Sequence, residues 1–373
     1  MKWDSKHTEA FFALLRAGLW ETGARLEDYA LIDWGQVSDL AREQSVVGLV
    51  AAGLDQVEDL KVARQDALRF VQQVIPLEKR NSDMNAFIAE LSGKLRQEGI
   101  RAVLVKGQGV AQCYSKPLWR MPGDVDLLLD RENYAKAKEL LVPMASKVEN
   151  EHPKNLHQGL EFGKWVVELH GSYHANISKR SAAVLDRLHQ DTCTGGGTRI
   201  WHNGESDILL PSPDNDTVFI FSHILQHFFF GGIGLRQICD WCRLLWIFRE
   251  SIDRQLLESR LQEMGLMTEW KAFAALAVKY LGMPAEAMPL YDPSSRWERK
   301  ARRIVKFILK VGNFGHNRDI SYHQKYPFVI YKAISLARHT GDFFRYLTVF
   351  PLDSFGVYFR MLASGFETAA KGE

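Results

Sequence analysis

RAVLVKGQGVAQCYSKPLWRMPGDVDLLLD, residues 101–130, opens on an apolar run from Ala102 to Val105 that stops at Lys106-Gly107. A short helix-compatible segment and a Pro-containing loop follow, and a second apolar run then carries Asp124 and Asp126 at its start. Side chains alternate across a strand, so carboxylates at i and i+2 share a face. Like charges side by side weaken a strand, and a cation between them relieves the conflict. A local conflict of this kind marks a site. The functional reading is a divalent-metal site, since Mg²⁺ is held by one or two carboxylates plus substrate phosphates. The plainer reading is a solvated strand end, Asp-x-Asp after Gly being common in turns.

Outward from this stretch the chain divides into three. Residues 1–98 read as helical throughout, with Phe11, Leu14, Leu15 and Leu19 at helical spacing and Pro76 expected to kink or break a long segment from Leu60 to Glu98. From Gly99 to Pro211 short strands and helices alternate. Strands are expected at 102–106, 124–129, 160–163, 165–170, 198–202 and 207–210, and helices at 108–114 and 131–142. Residues 212–373 return to the helical period, with Gly231-Gly232 as a break and helices near 235–249, 253–264, 268–281, 296–311, 326–339 and 355–366. The fold class is α+β: a small mixed sheet flanked by helical regions, with 1–98, 99–211 and 212–373 as its parts.

Composition narrows the class without naming a function. Of 373 residues, 46% are hydrophobic and 25% charged, which fits a globular chain rather than a disordered one. A net charge of +2 gives no whole-molecule attraction to nucleic acid. Cys113, Cys193, Cys239 and Cys242 do not make a disulfide framework, so a reducing, cytoplasmic setting is expected. The N-terminal MKWDSKHTEAFFALLRAGLW reads as an amphipathic helix, not a signal peptide. No apolar window of about eighteen residues predicts a membrane span.

A second strand candidate, Trp165-Val166-Val167-Glu168-Leu169-His170, carries an acid in apolar company, which is costly unless paired or metal-bound. Glu168 and His170 share a face. Three carboxylates on two strands after a Lys-Gly turn make a plausible two-metal arrangement. Lys106-Gly107-Gln108-Gly109 is neither a P-loop nor a complete G-x-G-x-x-G, so no Rossmann site follows from it.

Taken together, Lys106-Gly107, Arg120-x-x-Gly123-Asp124-Val125-Asp126 and Val167-Glu168-Leu169-His170 resemble the DNA polymerase β-like nucleotidyltransferase superfamily. More narrowly, they are similar to its bacterial branch of uncharacterised nucleotidyltransferases. The resemblance covers residues 100–170 and extends more weakly to His223-x-x-x-His227 and Leu235–Asp240. It implies a polymerase β-like core in which Asp124, Asp126 and Glu168 hold two Mg²⁺ or Mn²⁺ ions. Glu168 would complete the metal site or take the proton of the incoming hydroxyl. Lys106 and the N–H groups at Gly107 and Gln108 would face the triphosphate, with Gly123, His170, Arg120 and Arg236 around it. Two departures stand out: Gln108 sits where the superfamily usually has Gly or Ser, and the interval from Gly107 to Asp124 is longer than its norm.

Two further groupings have competing readings. His223, His227, Cys239 and Cys242 have zinc-capable types and spacings, yet could equally be the apolar face of a helical hairpin, since Cys packs as a small hydrophobe. As a third possibility, His223, His227 and Asp240 line the nucleotide cleft. Arg296–Lys310 reads as a basic helix with Arg299, Arg303, Lys306 and Lys310 along one face, either a solvated surface or a contact for RNA, a phosphate-rich acceptor or an anionic membrane. The expected reaction is transfer of a nucleoside monophosphate from an NTP such as ATP to an acceptor hydroxyl, a small molecule before a protein or nucleic acid, with release of pyrophosphate. The alternatives are a catalytically inactive nucleotide-binding or regulatory protein of this fold, and an RNA- or DNA-modifying transferase working through helix 296–310.

Overall fold

The computed structural model describes residues 6–29, 31–152, 156–173, 177–315, 317, 325 and 327–371. Its first part is helical: α1 (Lys6–Trp20), α2 (Trp34–Glu43), α3 (Val47–Leu54) and the long α4 (Arg64–Gln97). Met1–Ser5, the start of the expected N-terminal helix, lie outside the described residues, as does Tyr326, where a later helix was expected to begin. Pro76 does not break α4. It and Gln72, whose carbonyl loses its helical partner there, are both exposed, so water can serve the freed acceptor.

The sheet follows: β1 (Val103–Val105), α5 (Gly107–Ala111), β2 (Val125–Leu128), α6 (Arg131–Leu141), β3 (Lys147–Val148), β4 (His157–Phe162) and β5 (Trp165–His170). Its strand order is β1-β2-β5-β4-β3, with β2 and β5 parallel and the other neighbours antiparallel. Helix α7 (Lys179–Thr194) then leads to a separate hairpin, β6 (Thr198–Asn203) and β7 (Ser206–Pro211). Strand alternation divides the sheet cleanly. Leu104, Val125, Leu127, Val167 and Leu169 pack with Met84, Ile88, Leu91 and Leu95 of α4 and with Tyr134 and Leu141 of α6. The other face sends Val103, Val105 and Leu128 into the larger helical core, and this is the face that also carries the acids.

That larger core joins both ends of the chain. Helices α8 (Pro213–Phe230), α9 (Leu235–Ile247), α10 (Arg254–Met264), α11 (Met267–Leu281) and α12 (Ser295–Val311) share one apolar cluster with α1–α3. Trp20 Nε1 donates to the Leu281 carbonyl, and Arg243 donates to the carbonyls of Leu19 and Cys113 at 2.7 Å each. The last helices are Phe328–Leu347 and Pro351–Lys371. Local signals set many boundaries: Ser212 caps α8 ahead of Pro213, Asp130 caps α6, and Gly231 ends α8. Helix α7 was not expected from the sequence. Its apolar residues Val184, Leu185 and Leu188 are diluted by charged and polar ones, and its Ser178 cap is the clearest local sign.

Helices α1 and α3 touch backbone to backbone. A Cβ on Gly18 would lie 1.8 Å from the Leu49 carbonyl oxygen, and one on Gly53 would lie 2.0 Å from that of Leu14. Gly53→Val is therefore expected to push the two helices apart and cost about 1–3 kcal/mol, read as a lower midpoint in urea unfolding. An unchanged midpoint would contradict this packing.

Candidate active site

Strand β1 delivers Lys106, which leaves the strand at φ 57°, ψ −145°, followed by Gly107 at φ 42°. A lysine in that region costs about 1–3 kcal/mol and persists only where its surroundings hold it. Here an ion pair does so: its Nζ is 2.7 Å from Asp126 Oδ1. Strand β2 contributes Asp126, which is buried, and the residue two before it, Asp124, which opens to solvent. The parallel ladder sets Asp126 beside Glu168 and Leu128 beside His170. Ligand oxygens of Asp124, Asp126 and Glu168 consequently lie within 4.8 Å of one another. At such separations each pair of full charges repels by about 3 kcal/mol at an effective dielectric of about 20.

The neighbouring cations answer part of that repulsion. His170 Nε2 lies 2.8 Å from Asp126 Oδ1 and 3.3 Å from Glu168 Oε2. The charge of Asp126, reinforced by burial, pushes the Asp124 carboxyl up to about 6 against the pull of Lys106. Burial works the same way on Asp126, but Lys106 and His170 outweigh it and hold that carboxyl below its usual range. Glu168 is likewise held low, its burial overcome by hydrogen bonds from His157 and His170. Burial disfavours the Lys106 ammonium, yet Asp126, Asp124 and Glu168 together raise its pKa. The same two carboxylates that His170 touches raise its pKa against the effect of burial. One neutralisable acid and two firmly ionised ones remain, an all-oxygen set suited to a hard divalent cation.

The facing wall comes from the helices. His223 and His227 of α8 stack edge to face at 4.3 Å between ring centroids. Burial, followed by the charge of Lys106, keeps both imidazoles neutral, with His227 pushed down to about 4. The cleft between wall and sheet encloses about 150 Å³ and is lined by Lys106, Gly107, Gly123 and the three acids, with Arg120, Arg236 and Asp240 closing one end.

The loop that carries Gly123-Asp124 is held by a buried polar network. Asp240 of α9 takes Arg120 in a two-pronged pair, both contacts 2.8 Å, and accepts the Tyr114 hydroxyl at 2.7 Å. One turn earlier, Arg236 donates Nη1 to the carbonyls of Met121 and Pro122, each at 3.1 Å. From the opposite side Asn81 of α4 donates to the carbonyls of Leu118 and Arg120. Arg120, expected to contact phosphate, is thus already paired with Asp240. Arg236 keeps a buried Nε without a partner, and burial together with nearby Arg120 lowers its pKa to about 10. An arginine so placed is poised to receive an anion.

Six of the expected residues, Lys106, Arg120, Gly123, Asp124, Asp126 and Glu168, therefore meet at the cleft together with Arg236 and Gly107, and His170 lies behind them in a second chamber. Gln108 does not join them. Its amide reaches Asn81 and Asn85 of α4, at 3.1 and 2.8 Å, on the far side of the turn. Cys239 and Cys242 are wholly buried and stand apart from His223 and His227, which line the cleft with Asp240. Among the described residues, the potential metal-holding groups are the three acids and the set His157, Glu168 and His170. In α12, Lys300 and Arg303 donate to the carbonyls of Val349 and Thr348, so part of that basic face ties down the following turn. Asn81, Tyr114 and His157 were not singled out in the sequence. His157 comes opposite His170 only through the antiparallel register of β4 and β5, which local pattern does not set.

A model of the uncharacterised nucleotidyltransferase family matches residues 30–282, more than half of the chain. The chain belongs to that family. No curated protein and no solved structure matches it. The family match spans the sheet, the acids and helices α2–α11, α9 and its grip on the loop before Asp124 among them. No helix among the described residues is long and apolar enough to cross a membrane.

Asp240→Ala leaves Arg120 buried without its carboxylate and is expected to cost about 3–5 kcal/mol, measured by chemical denaturation. Pairing it with Arg120→Met should recover much of that loss. If the single variant were as stable as the wild type, the network would not be what holds the loop.

Proposed function

We propose that this protein is a Mg²⁺-dependent nucleotidyltransferase that moves a nucleoside monophosphate from an NTP to the hydroxyl of a small acceptor and releases pyrophosphate. The observation that carries this reading is the convergence of Asp124, Asp126 and Glu168 within 4.8 Å on the floor of a cleft whose end holds Arg236. Asp124, Asp126 and Glu168 would hold two divalent ions, which supply charge neutralisation for the triphosphate and orientation of the attacking and leaving oxygens. The acceptor oxygen would form its bond to the α-phosphorus as the bond to the β-phosphate bridging oxygen breaks, pyrophosphate would carry away the electron pair, and the hydroxyl proton would leave to solvent water at the cleft mouth.

The chain's own side chains supply the rest. Glu168, held strongly acidic by His157 and His170, is a good ligand and a poor proton acceptor, which favours the metal-holding role over the base. The neutral imidazoles of His223 and His227 face the acids and can accept a hydrogen bond from the acceptor hydroxyl. Arg236 would meet the β- and γ-phosphates with its unpartnered Nε edge. Lys106, paired with Asp126 in the free protein, would turn to phosphate as a cation replaces it.

Incubation with each labelled NTP, Mg²⁺ and a small-molecule cell extract should move label to an acceptor, and Asp124→Ala or Asp126→Ala should abolish that transfer while the fold is kept. Full transfer by either variant would sink the metal assignment. Arg236→Met is expected to raise KM for the NTP by about 10–100-fold, a loss of about 1.4–2.8 kcal/mol, with a smaller effect on kcat. Asp124→Asn, which relieves repulsion in the metal-free protein, should raise its stability by about 1 kcal/mol once solvent screening of this exposed group is allowed for. The same change should remove the thermal stabilisation that Mg²⁺ gives the wild type.

A further inference from the structure

Behind the acids the sheet builds a second set of donors with different chemistry. His157 and His170 are direct cross-strand partners in the antiparallel β4–β5 ladder, and Glu168 lies two residues from His170 on the same face. Each histidine presents Nε2 at 3.3 Å from the same oxygen, Glu168 Oε2. As hydrogen bonds these contacts are at the long end, against a usual N–H···O length of about 2.9 Å. The observed separation matches the edge of a tetrahedral site, about 3.4 Å when nitrogen and oxygen ligands sit about 2.1 Å from the metal. The ligand atoms of all three residues lie within 4.8 Å of one another.

We propose that His157, Glu168 and His170 form a transition-metal site that takes Zn²⁺, distinct in donor type from the oxygen-only set and joined to it through Glu168. Two imidazoles and one carboxylate suit Zn²⁺, whereas Mg²⁺ prefers oxygen alone. Three protein ligands leave a fourth position open, as in sites that hold water or a substrate atom. A chamber of about 260 Å³ lies beside that position, with Ser172, Gln226 and His223 on its walls. Asp126 gives up His170 in this arrangement and keeps its ion pair to Lys106. The two centres then share one carboxylate, so occupancy of the nitrogen-rich site places a second positive charge next to the acids.

The site does not depend on nucleotide transfer, and its test contains no nucleotide. Metal-stripped full-length protein in excess Mg²⁺ is titrated with Co²⁺ as the probe. The expected result is one bound Co²⁺ with the intense ligand-field absorption of a four- or five-coordinate ion, displaced by Zn²⁺. His157→Ala and the more conservative His157→Gln, each shown to be folded by circular dichroism, should bind Co²⁺ more than about 100-fold more weakly. Asp124→Ala should retain the spectrum. Wild-type binding by the His157 variants, or only a weak six-coordinate spectrum that Mg²⁺ abolishes, would overturn the proposal. Because activity is not the readout, loss of this site and failure of Mg²⁺-dependent transfer are separate outcomes.

Discussion

Asp126 and Glu168 are neighbours on two hydrogen-bonded parallel strands, and that pairing imposes the conflict from which the site is built. Like charges so placed repel, and burial of Asp126 sharpens the repulsion. Lys106 and His170 relieve it from two sides, both meeting Asp126 Oδ1. The left-handed backbone at Lys106 is intelligible on the same ground, since that turn returns the ammonium to the sheet. Even so the charges do not balance locally. Asp124 is left carrying the excess, which is why its carboxyl alone is driven upward.

The second constraint is the path of residues 117–124. A loop this long would be free to place Asp124 anywhere along the strand end. It is instead fixed by carbonyl contacts from Asn81 and Arg236 and by the buried Arg120–Asp240 pair. These partners come from α4, before the sheet, and α9, well after it. The helical regions are therefore structural parts of the site, and the single apolar cluster joining α1–α3 to α8–α12 keeps them in place. The arrangement also leaves Arg236, which lines the cleft, with a buried Nε that has no partner, the feature of the helical half that most directly favours an anion.

The two faces of the sheet divide these labours. One face is plain hydrocarbon packing against α4 and α6, where Leu127, Leu169 and Val167 are wholly or almost wholly buried. The other begins as hydrocarbon at Val103 and Leu128 and becomes charged toward Asp126, Glu168 and His170. Stability is drawn from the first face, so the second can carry repelling charges that would be intolerable in an isolated hairpin.

Much of this was legible in the residues themselves. Apolar runs around Val125–Leu128 and Trp165–His170 identified the strands, and the pleat then set Asp124 with Asp126, and Glu168 with His170, on a shared face. Gly231-Gly232 marked the end of α8, and the Lys-Gly turn and Gly-Asp-x-Asp strand pointed to the family. Local pattern could not decide which distant groups meet. Arg120 looked like a phosphate ligand until the fold set Asp240 against it. Gln108 was placed at the turn for its backbone N–H, and the fold gave its side-chain amide a separate task, toward Asn81 and Asn85. His157 gained significance only when β4 paired with β5 in the register that puts it opposite His170. Sequence by itself determined the chemistry available and the face on which each strand residue lies. Tertiary structure alone decided the partners, because strand register and helix packing join residues separated by tens to more than a hundred positions along the chain.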